Sequence, residues 1–118
     1  MNEPVRRGDV FLANLDPTIG VEIKKKRPVV VVSNDTINQF SRLVVVVPLT
    51  TNISRLSPSH VLMPKGEGGL GQDSKALTEQ IRAMDKLRLT TRIGTLSARF
   101  LHLIEQAVRS LCYGVGTS

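Results

Sequence analysis

The stretch "KKKRPVVVVSND" (residues 24–35) joins the densest positive charge of the chain to its most β-branched run. Four consecutive valines without polar alternation predict a strand that is covered on both faces. Pro28 stands at the start of that strand, where a missing backbone N–H does least harm. A second run of this kind, "LVVVVPLT", covers residues 43–50. Because little helix is predicted that could cover an open sheet, the two runs favour a sheet that curls into a small barrel.

Further strands and turns flank these two runs. The pattern predicts strands over residues 8–15, 27–34, 43–50 and 60–63. After the second strand, Asn34 and Asp35 favour a turn or one short helical turn. The fold is therefore predicted to be mainly β with short helices.

Helical periodicity is clear near the C-terminal end, over residues 96–111. Ser97 is placed to cap the first turn, and Gly114 is placed to stop the helix. One face of this helix carries Leu96, Phe100, Leu103, Ile104, Ala107 and Leu111. The spacing therefore predicts a C-terminal amphipathic helix packed on the sheet.

Two segments are harder to assign. Residues 64–74 hold four glycines and are predicted to form a mobile loop. Residues 74–85 contain good helix formers throughout, and Ala76, Leu77, Ile81 and Met84 could form a helical stripe. Local propensity alone therefore predicts a helix there.

Composition sets the class of protein and of partner. The length of 118 residues suits one domain, since a typical domain has roughly 100–150 residues. The single cysteine, Cys112, and the lack of an N-terminal apolar segment predict a cytoplasmic protein. The net charge of +6 favours nucleic acid, an acidic protein or a membrane surface as partner. With only four aromatic residues, binding of nucleic acid would depend on charge and hydrogen bonds.

No cofactor or metal motif is evident in the sequence. Cys112, His60 and His102 lack ligand spacing, and the glycines of "GEGGLG" lack the strand–turn–helix context of a dinucleotide site. Any catalysis is therefore expected to proceed without a cofactor, a metal or a well-placed histidine.

Four motifs in order resemble the MazF/PemK toxins of type II toxin–antitoxin systems. They are "RRGDVFLANLDP" (6–17), "KRPVVVVSND" (26–35), "VVPLTTN" (46–52) and "DSKALTEQIRAMDKLRL" (73–89). The resemblance implies one domain over residues 1–118 with an SH3-like small β-barrel, of the kind also found in CcdB, and a C-terminal α-helix. It also implies that residues 74–85 are extended, against their helical propensity.

The same resemblance implies a function and partners. It implies a homodimeric endoribonuclease that cuts single-stranded mRNA at specific sequences, without a metal or the ribosome, by attack of the substrate's own 2′-hydroxyl. It also implies a cognate acidic antitoxin that blocks the RNA site. Two alternatives remain open, a non-nucleolytic gyrase-binding toxin like CcdB and a non-catalytic RNA-binding barrel.

The site residues follow from matching positions. The catalytic arginine and threonine of the family fall on Arg27 and Thr50. Predicted RNA-binding residues are Glu22, Lys24, Lys25, Lys26, Asn34, Asp35, Thr51, Asn52, Asp73, Ser74, Glu79 and Gln80. The three lysines fit a solvated basic surface equally well, and Glu22, Asp35 and Glu79 are all candidates for the general base.

Overall fold

The computed structural model describes residues 4–15 and 26–114. Within them the chain forms seven strands: β1 (Asp9–Asn14), β2 (Lys26–Val31), β3 (Leu43–Thr50), β4 (His60–Met63), β5 (Ser74–Leu77), β6 (Arg82–Asp85) and β7 (Leu89–Thr95). The two α-helices are α1 (Asp35–Phe40) and α2 (Ala98–Tyr113). Single 3₁₀ turns occupy Glu67–Gly69, Thr78–Gln80 and Lys86–Arg88.

Strand β3 is the centre of the sheet. One of its edges pairs antiparallel with β2, with Val30 opposite Val47. Its other edge pairs first with β6 and then, at Leu49 and Thr50, with β5. The strand order is therefore β4-β5-β3-β2-β1-β7, with β6 also on β3. Among the described residues no ladder joins the outer strands β4 and β7. The sheet is therefore barrel-like but not closed.

The valine runs are buried on both sides, which confirms the prediction for β2 and β3. Val30 and Val47 belong to the core that includes Ile104 of α2. Val29 and Val31 face the other way, into a second apolar cluster. All four valines have no solvent exposure. Since burying a valine side chain contributes roughly 1.5–3 kcal/mol, these two strands form the most strongly held part of the fold.

Residues 74–85 are extended at both ends and turn in the middle. The helix that propensity predicted is absent there, and β5, the 3₁₀ turn Thr78–Gln80 and β6 take its place. Pairing of β5 and β6 with β3 satisfies their backbone groups, and Thr78 Oγ1 donates a hydrogen bond to the Ser59 carbonyl. Tertiary pairing therefore overrides local propensity, as the family resemblance implied.

The glycine-rich segment at residues 64–74 packs tightly against β7, so the prediction of a mobile loop is wrong for its centre. A Cβ at Gly94 would lie 2.6 Å from the Gly68 carbonyl oxygen, and one at Gly69 would lie 2.4 Å from the Ile93 carbonyl oxygen. Gly69 also has a φ of +81°, which favours glycine. Strand β7 itself was not predicted, because "LTTRIGT" lacks apolar alternation.

Helix α2 covers one face of the sheet and ends at Gly114, as predicted. Ser97 occupies the capping position, but its side chain makes no capping hydrogen bond, and its backbone N–H donates to Glu67 Oε2 at 2.6 Å. The packed face is centred on Ile104, whereas Leu103 and Leu111 are 37% and 45% exposed. The predicted apolar stripe is therefore only partly buried. Across the described residues, neither helix has the length and hydropathy needed to cross a bilayer.

Helix α1 is held at its start by two polar side chains. Asn34 Oδ1 accepts the Ile37 N–H at 2.9 Å and so caps the helix. Asp35 Oδ1 accepts the Arg7 N–H at 2.7 Å and Asn38 Nδ2 at 3.1 Å. The Arg7 N–H, and then the Asn38 amide, hold the pKa of Asp35 below its ordinary value of 3.8. These contacts join the N-terminal segment to α1.

Because residues 68 and 69 lie so close to β7, a methyl group added at Gly94 should lower the stability of the fold. Gly94→Ala should lower the free energy of unfolding by about 1–3 kcal/mol, because the Cβ overlaps the Gly68 carbonyl. The matched control is Gly71→Ala, since a Cβ at Gly71 meets nothing within 4 Å and should change stability by less than about 0.5 kcal/mol. Urea unfolding measures both, and equal midpoints for the two variants would contradict the prediction.

The depressed pKa of Asp35 predicts a loss of stability in acid. Between the two pKa values the unfolded chain binds a proton that the folded chain does not, so the Asp35 contribution is present above about pH 3.8 and is lost as the pH falls through the lower folded-state value. Asp35→Asn should therefore flatten the fall of urea midpoints below pH 3.8. Parallel pH profiles for the parent and the variant would show that Asp35 does not contribute.

Candidate functional site

Arg27 and Thr50 lie on neighbouring strands at the same end of the sheet. The β2–β3 register pairs Val29 with Pro48, and continuing it by two residues sets Arg27 opposite Thr50. Because side chains alternate along a strand, both then project from the same face, with Cα atoms roughly 5 Å apart. Extending the register thus sets the two predicted catalytic residues opposite each other, while the hydrogen-bonded β2–β3 ladder itself ends at Val29 and Pro48.

The pair belongs to a row of residues that crosses the sheet. Arg27 pairs with Ala13 of β1 on its other side, and Thr50 pairs with Lys75 of β5. Lys75 in turn pairs with Leu62 of β4. Ala13 is fully buried and Lys75 is nearly so, and alternation along the strands sets Lys75, Thr50 and Arg27 on one face of the sheet.

Arg27 is exposed, yet its backbone is firmly placed. Pro28 follows it and has a fixed φ, and Val29 is fully buried. The guanidinium therefore starts from a rigid strand and extends into solvent. Lys26, also exposed, begins the same strand and adds a second positive charge at this end, from the opposite face.

Thr50 is half-buried, and its hydroxyl is oriented by the chain that follows. Thr50 Oγ1 accepts the Asn52 N–H at 3.1 Å. Asn52 Oδ1 accepts the Ser54 N–H at 3.3 Å and the Ser54 hydroxyl at 2.8 Å, which tightens the turn. Because Oγ1 accepts one hydrogen bond from the protein, its O–H remains to donate to a ligand. Thr51, next to it, is exposed.

Lys75 is a site neighbour that sequence reasoning missed. Its side chain is nearly covered, at 6% exposure, and Nζ donates a hydrogen bond to the Arg55 carbonyl. Lys75 belongs to the motif "DSKALTEQIRAMDKLRL", where it stands between Ser74 and Ala76. Only the register with β3 shows that this lysine stands beside Thr50.

Glu79 and Gln80 lie in the 3₁₀ turn after β5, and both are exposed. They do not alternate inward and outward, which corrects the interpretation of this pair as strand residues. Glu79 contacts His60 Nε2 at 3.3 Å and the Ser59 hydroxyl at 3.4 Å. Desolvation raises the pKa of Glu79, but hydrogen bonds from its own backbone N–H and from His60 outweigh it and lower the pKa overall.

Asp73 and Ser74 make local hydrogen bonds at the start of β5. Asp73 Oδ1 accepts the Lys65 N–H at 2.8 Å, and the Ser74 hydroxyl donates to the Gln72 carbonyl at 2.9 Å. Ser74 is buried and alternates with Lys75, so it faces away from Thr50. In this structure both residues shape the entry to β5.

Asn34 and Asp35 lie beyond the opposite end of β2. The stretch from Arg27 to Val31 alone spans about 13 Å at the usual rise of about 3.3 Å per residue. The contacts of Asn34 and Asp35 hold α1, and the structure does not bring them to Arg27 and Thr50.

Glu22, Lys24 and Lys25 lie outside the described residues. The chain leading into that segment is fixed at the Leu15 carbonyl, which accepts hydrogen bonds from Arg82 Nη2 at 2.7 Å and Arg88 Nη1 at 3.2 Å. Asn14 and Lys26, the strand residues on either side of this segment, pair across β1 and β2.

Cavities lie elsewhere on the molecule. One of about 800 Å³ is lined by residues that include Phe11, Leu89 and Arg92, and neither Arg27 nor Thr50 lines it. Within residues 4–15 and 26–114, no three His, Cys, Asp or Glu side chains are grouped so that they could hold a metal ion. Arg27 is exposed and Thr50 is half-buried, so among the described residues the candidate site lies at the surface of the strand ends.

Comparison with known proteins identifies the family. Residues 6–112 match the family described as PemK-like, MazF-like toxin of type II toxin-antitoxin system. The chain is 41% identical over 105 residues to a protein named Endoribonuclease MazF from Staphylococcus saprophyticus, with 88% of each chain covered. It is 39% identical over 106 residues to Endoribonuclease EndoA from Bacillus subtilis, covering 89% of this chain and 91% of that protein.

A solved structure shows the same fold. It is titled an endoribonuclease in complex with its cognate antitoxin from a mycobacterial species, and it superimposes with a TM-score of 0.77 at 24% identity. The match covers 96% of this chain and 98% of that chain. The resemblance noted from the four motifs is confirmed, and the chain belongs to the PemK-like, MazF-like toxin family of type II toxin–antitoxin systems.

Proposed function

We propose that this protein is the toxin of a type II toxin–antitoxin system and acts as a sequence-specific endoribonuclease on single-stranded mRNA, without a metal or the ribosome. The observation that carries the proposal is the position of Arg27 and Thr50 on the neighbouring strands β2 and β3, two residues beyond the paired Val29 and Pro48, with Arg27 exposed and Thr50 half-buried. Relatives that are 39% and 41% identical over most of the chain are named endoribonucleases, which supports the same activity.

The reaction uses the 2′-hydroxyl of the substrate as nucleophile. A bond forms from O2′ to phosphorus while the bond from phosphorus to O5′ breaks, and the products are a 2′,3′-cyclic phosphate and a 5′-hydroxyl. The 2′-hydroxyl loses its proton, and the leaving O5′ gains one. Extra negative charge develops on the non-bridging oxygens, so the protein must supply hydrogen-bond donors at that point.

Arg27 and Thr50 supply those donors in complementary ways. The guanidinium of Arg27 presents a planar fork of N–H groups that matches two phosphoryl oxygens. The Thr50 hydroxyl, held by the Asn52 N–H, donates to the same phosphate or orients the 2′-hydroxyl. Because both groups stem from paired strands, their spacing is fixed before RNA binds.

Two of the three candidate general bases, Asp35 and Glu79, lie among the described residues, and both are held by other groups. Asp35 is turned to Arg7 and Asn38, beyond the far end of β2. Glu79 is engaged by His60 and Ser59. Of the three candidates raised from the sequence, the proposal therefore assigns the general base to Glu22, which lies outside the described residues.

The proposal extends to assembly, location and partners. Residues 1–118 act as one toxin domain, which is supported by the family match over residues 6–112. The protein works as a homodimer in the cytoplasm, where its mRNA substrate is found. A cognate antitoxin with an acidic segment covers the Arg27 face, as favoured by the net charge of +6 and by the family's toxin–antitoxin description.

Removal of either donor should slow RNA cleavage strongly. Arg27→Ala and Thr50→Val should each lower the cleavage rate by about 10²–10³-fold, the usual effect of losing one transition-state donor. The assay uses a long single-stranded RNA in EDTA, with cut ends mapped by sequencing. An oligonucleotide that lacks the 2′-hydroxyl at the cut site should stay intact.

Matched controls separate this effect from general loss of charge or packing. Arg109→Ala removes an exposed arginine from α2, and Thr91→Val removes an exposed threonine hydroxyl from β7. Both should cut at the parental rate. Parental rates for Arg27→Ala and Thr50→Val together would refute the site, and tight RNA binding without any cleavage would favour a non-catalytic RNA-binding barrel.

Salt dependence tests whether Lys26 contacts phosphate or is only a solvated charge. For single-stranded nucleic acid, log affinity falls with log salt by about 0.7 for each neutralised phosphate. We measure the affinity for the uncleavable oligonucleotide from low to moderate salt. In Lys26→Ala the steepness of log affinity against log salt should fall by about 0.7, the amount for one phosphate contact. An unchanged slope would assign Lys26 to the solvated surface.

A further inference from the structure

Residues 51–59, here called the β3–β4 connection, are tied to the sheet by an unusual lysine. Lys75 lies in the middle of β5, and its Nζ donates to the Arg55 carbonyl of this connection. Only 6% of Lys75 is exposed, although lysine is among the residues least often buried. A covered ammonium needs a strong acceptor, and the Arg55 carbonyl provides one.

The face from which Lys75 projects explains why this contact matters. Leu49 and Ala76 pair across β3 and β5 and belong to the core that includes Ile104. Thr50 and Lys75 are the next pair, so they point to the opposite face. Lys75 is therefore covered from outside the core, by the connection that leaves β3 directly after Thr50.

A second tie holds the far end of the connection. Thr78 is fully buried, and its Oγ1 donates to the Ser59 carbonyl. The Ser57 N–H donates to His60 Nδ1 at 3.1 Å, next to the same end. The connection is thus fixed at two carbonyls from β5 and the turn after it, while its outer residues, such as Thr51 and Asn52, remain exposed beside Thr50.

We propose that Lys75 is a positioning residue that holds the β3–β4 connection against the sheet beside Thr50 and thereby sets which RNA bases the enzyme accepts. The inference rests on the proposed ribonuclease function and adds a determinant of its substrate selection. Lys75 acts through the connection and does not touch the reacting phosphate. Its loss therefore weakens and broadens RNA binding more than it slows the chemical step.

The test replaces Lys75 by methionine, which keeps the length of the apolar stem and removes the donor. Lys75→Met should raise KM for the preferred RNA about tenfold, the effect of losing one charge-assisted hydrogen bond, with kcat nearly unchanged. Sequencing of cut ends on a transcript of mixed sequence should show cuts spread over more sequences. The control is Lys65→Met, which removes an exposed lysine with the same change of net charge and should match the parent.

Two further measurements keep the test independent of folding and of activity. Limited trypsin digestion, read by mass spectrometry, should show faster cleavage after Arg55 in Lys75→Met, because its carbonyl is released. Thr78→Val removes the second tie with an isosteric side chain and should broaden cleavage in the same direction. Thermal unfolding establishes that each variant used is folded.

Each outcome decides the proposal. A raised KM and broadened cleavage in folded Lys75→Met and Thr78→Val support it. Parental KM and parental cut sites in both variants overturn it, and so does a fall in kcat at constant KM, which would place Lys75 in the chemical step. If the parent and Lys65→Met also leave RNA intact, the proposed ribonuclease function itself has failed, whatever trypsin shows.

Discussion

The structure depends on the burial of β3 on both faces and its pairing along both edges. Val47 and Leu49 belong to the apolar cluster beneath α2, and Val44 and Val46 belong to the cluster on the far side of the sheet. One edge meets β2, while the other is divided between β6 and β5. A register slip of one residue in β3 would exchange the two clusters and misplace every partner, so its register is strongly fixed.

The candidate site lies where this rigid strand stops being buried. Arg27 and Thr50 lie two residues beyond Val29 and Pro48, the last pair of the β2–β3 ladder at this end. Packing fixes the backbone, and solvent reaches the side chains. A phosphodiester can therefore approach a preset pair of donors without entering a pocket, which suits a long single strand better than a small molecule.

Hydrogen bonds from side chains to backbone carbonyls hold the connections near this site. Arg82 and Arg88 donate to Leu15, where the segment before Arg27 begins. Lys75 and Thr78 donate to Arg55 and Ser59 after Thr50. Three cationic side chains, those of Arg82, Arg88 and Lys75, thus hold backbone carbonyls next to the candidate site.

The sequence by itself determined the two valine strands, the C-terminal helix, the family and the identity of the catalytic candidates, because these depend on local pattern and on motifs in order. The tertiary structure alone decided that residues 74–85 extend along β3, that glycines 68, 69 and 94 close a tight contact, and that Lys75 stands beside Thr50. Each of these depends on pairing between strands distant in sequence, where backbone hydrogen bonds and close packing outweigh the weak preferences of single residues.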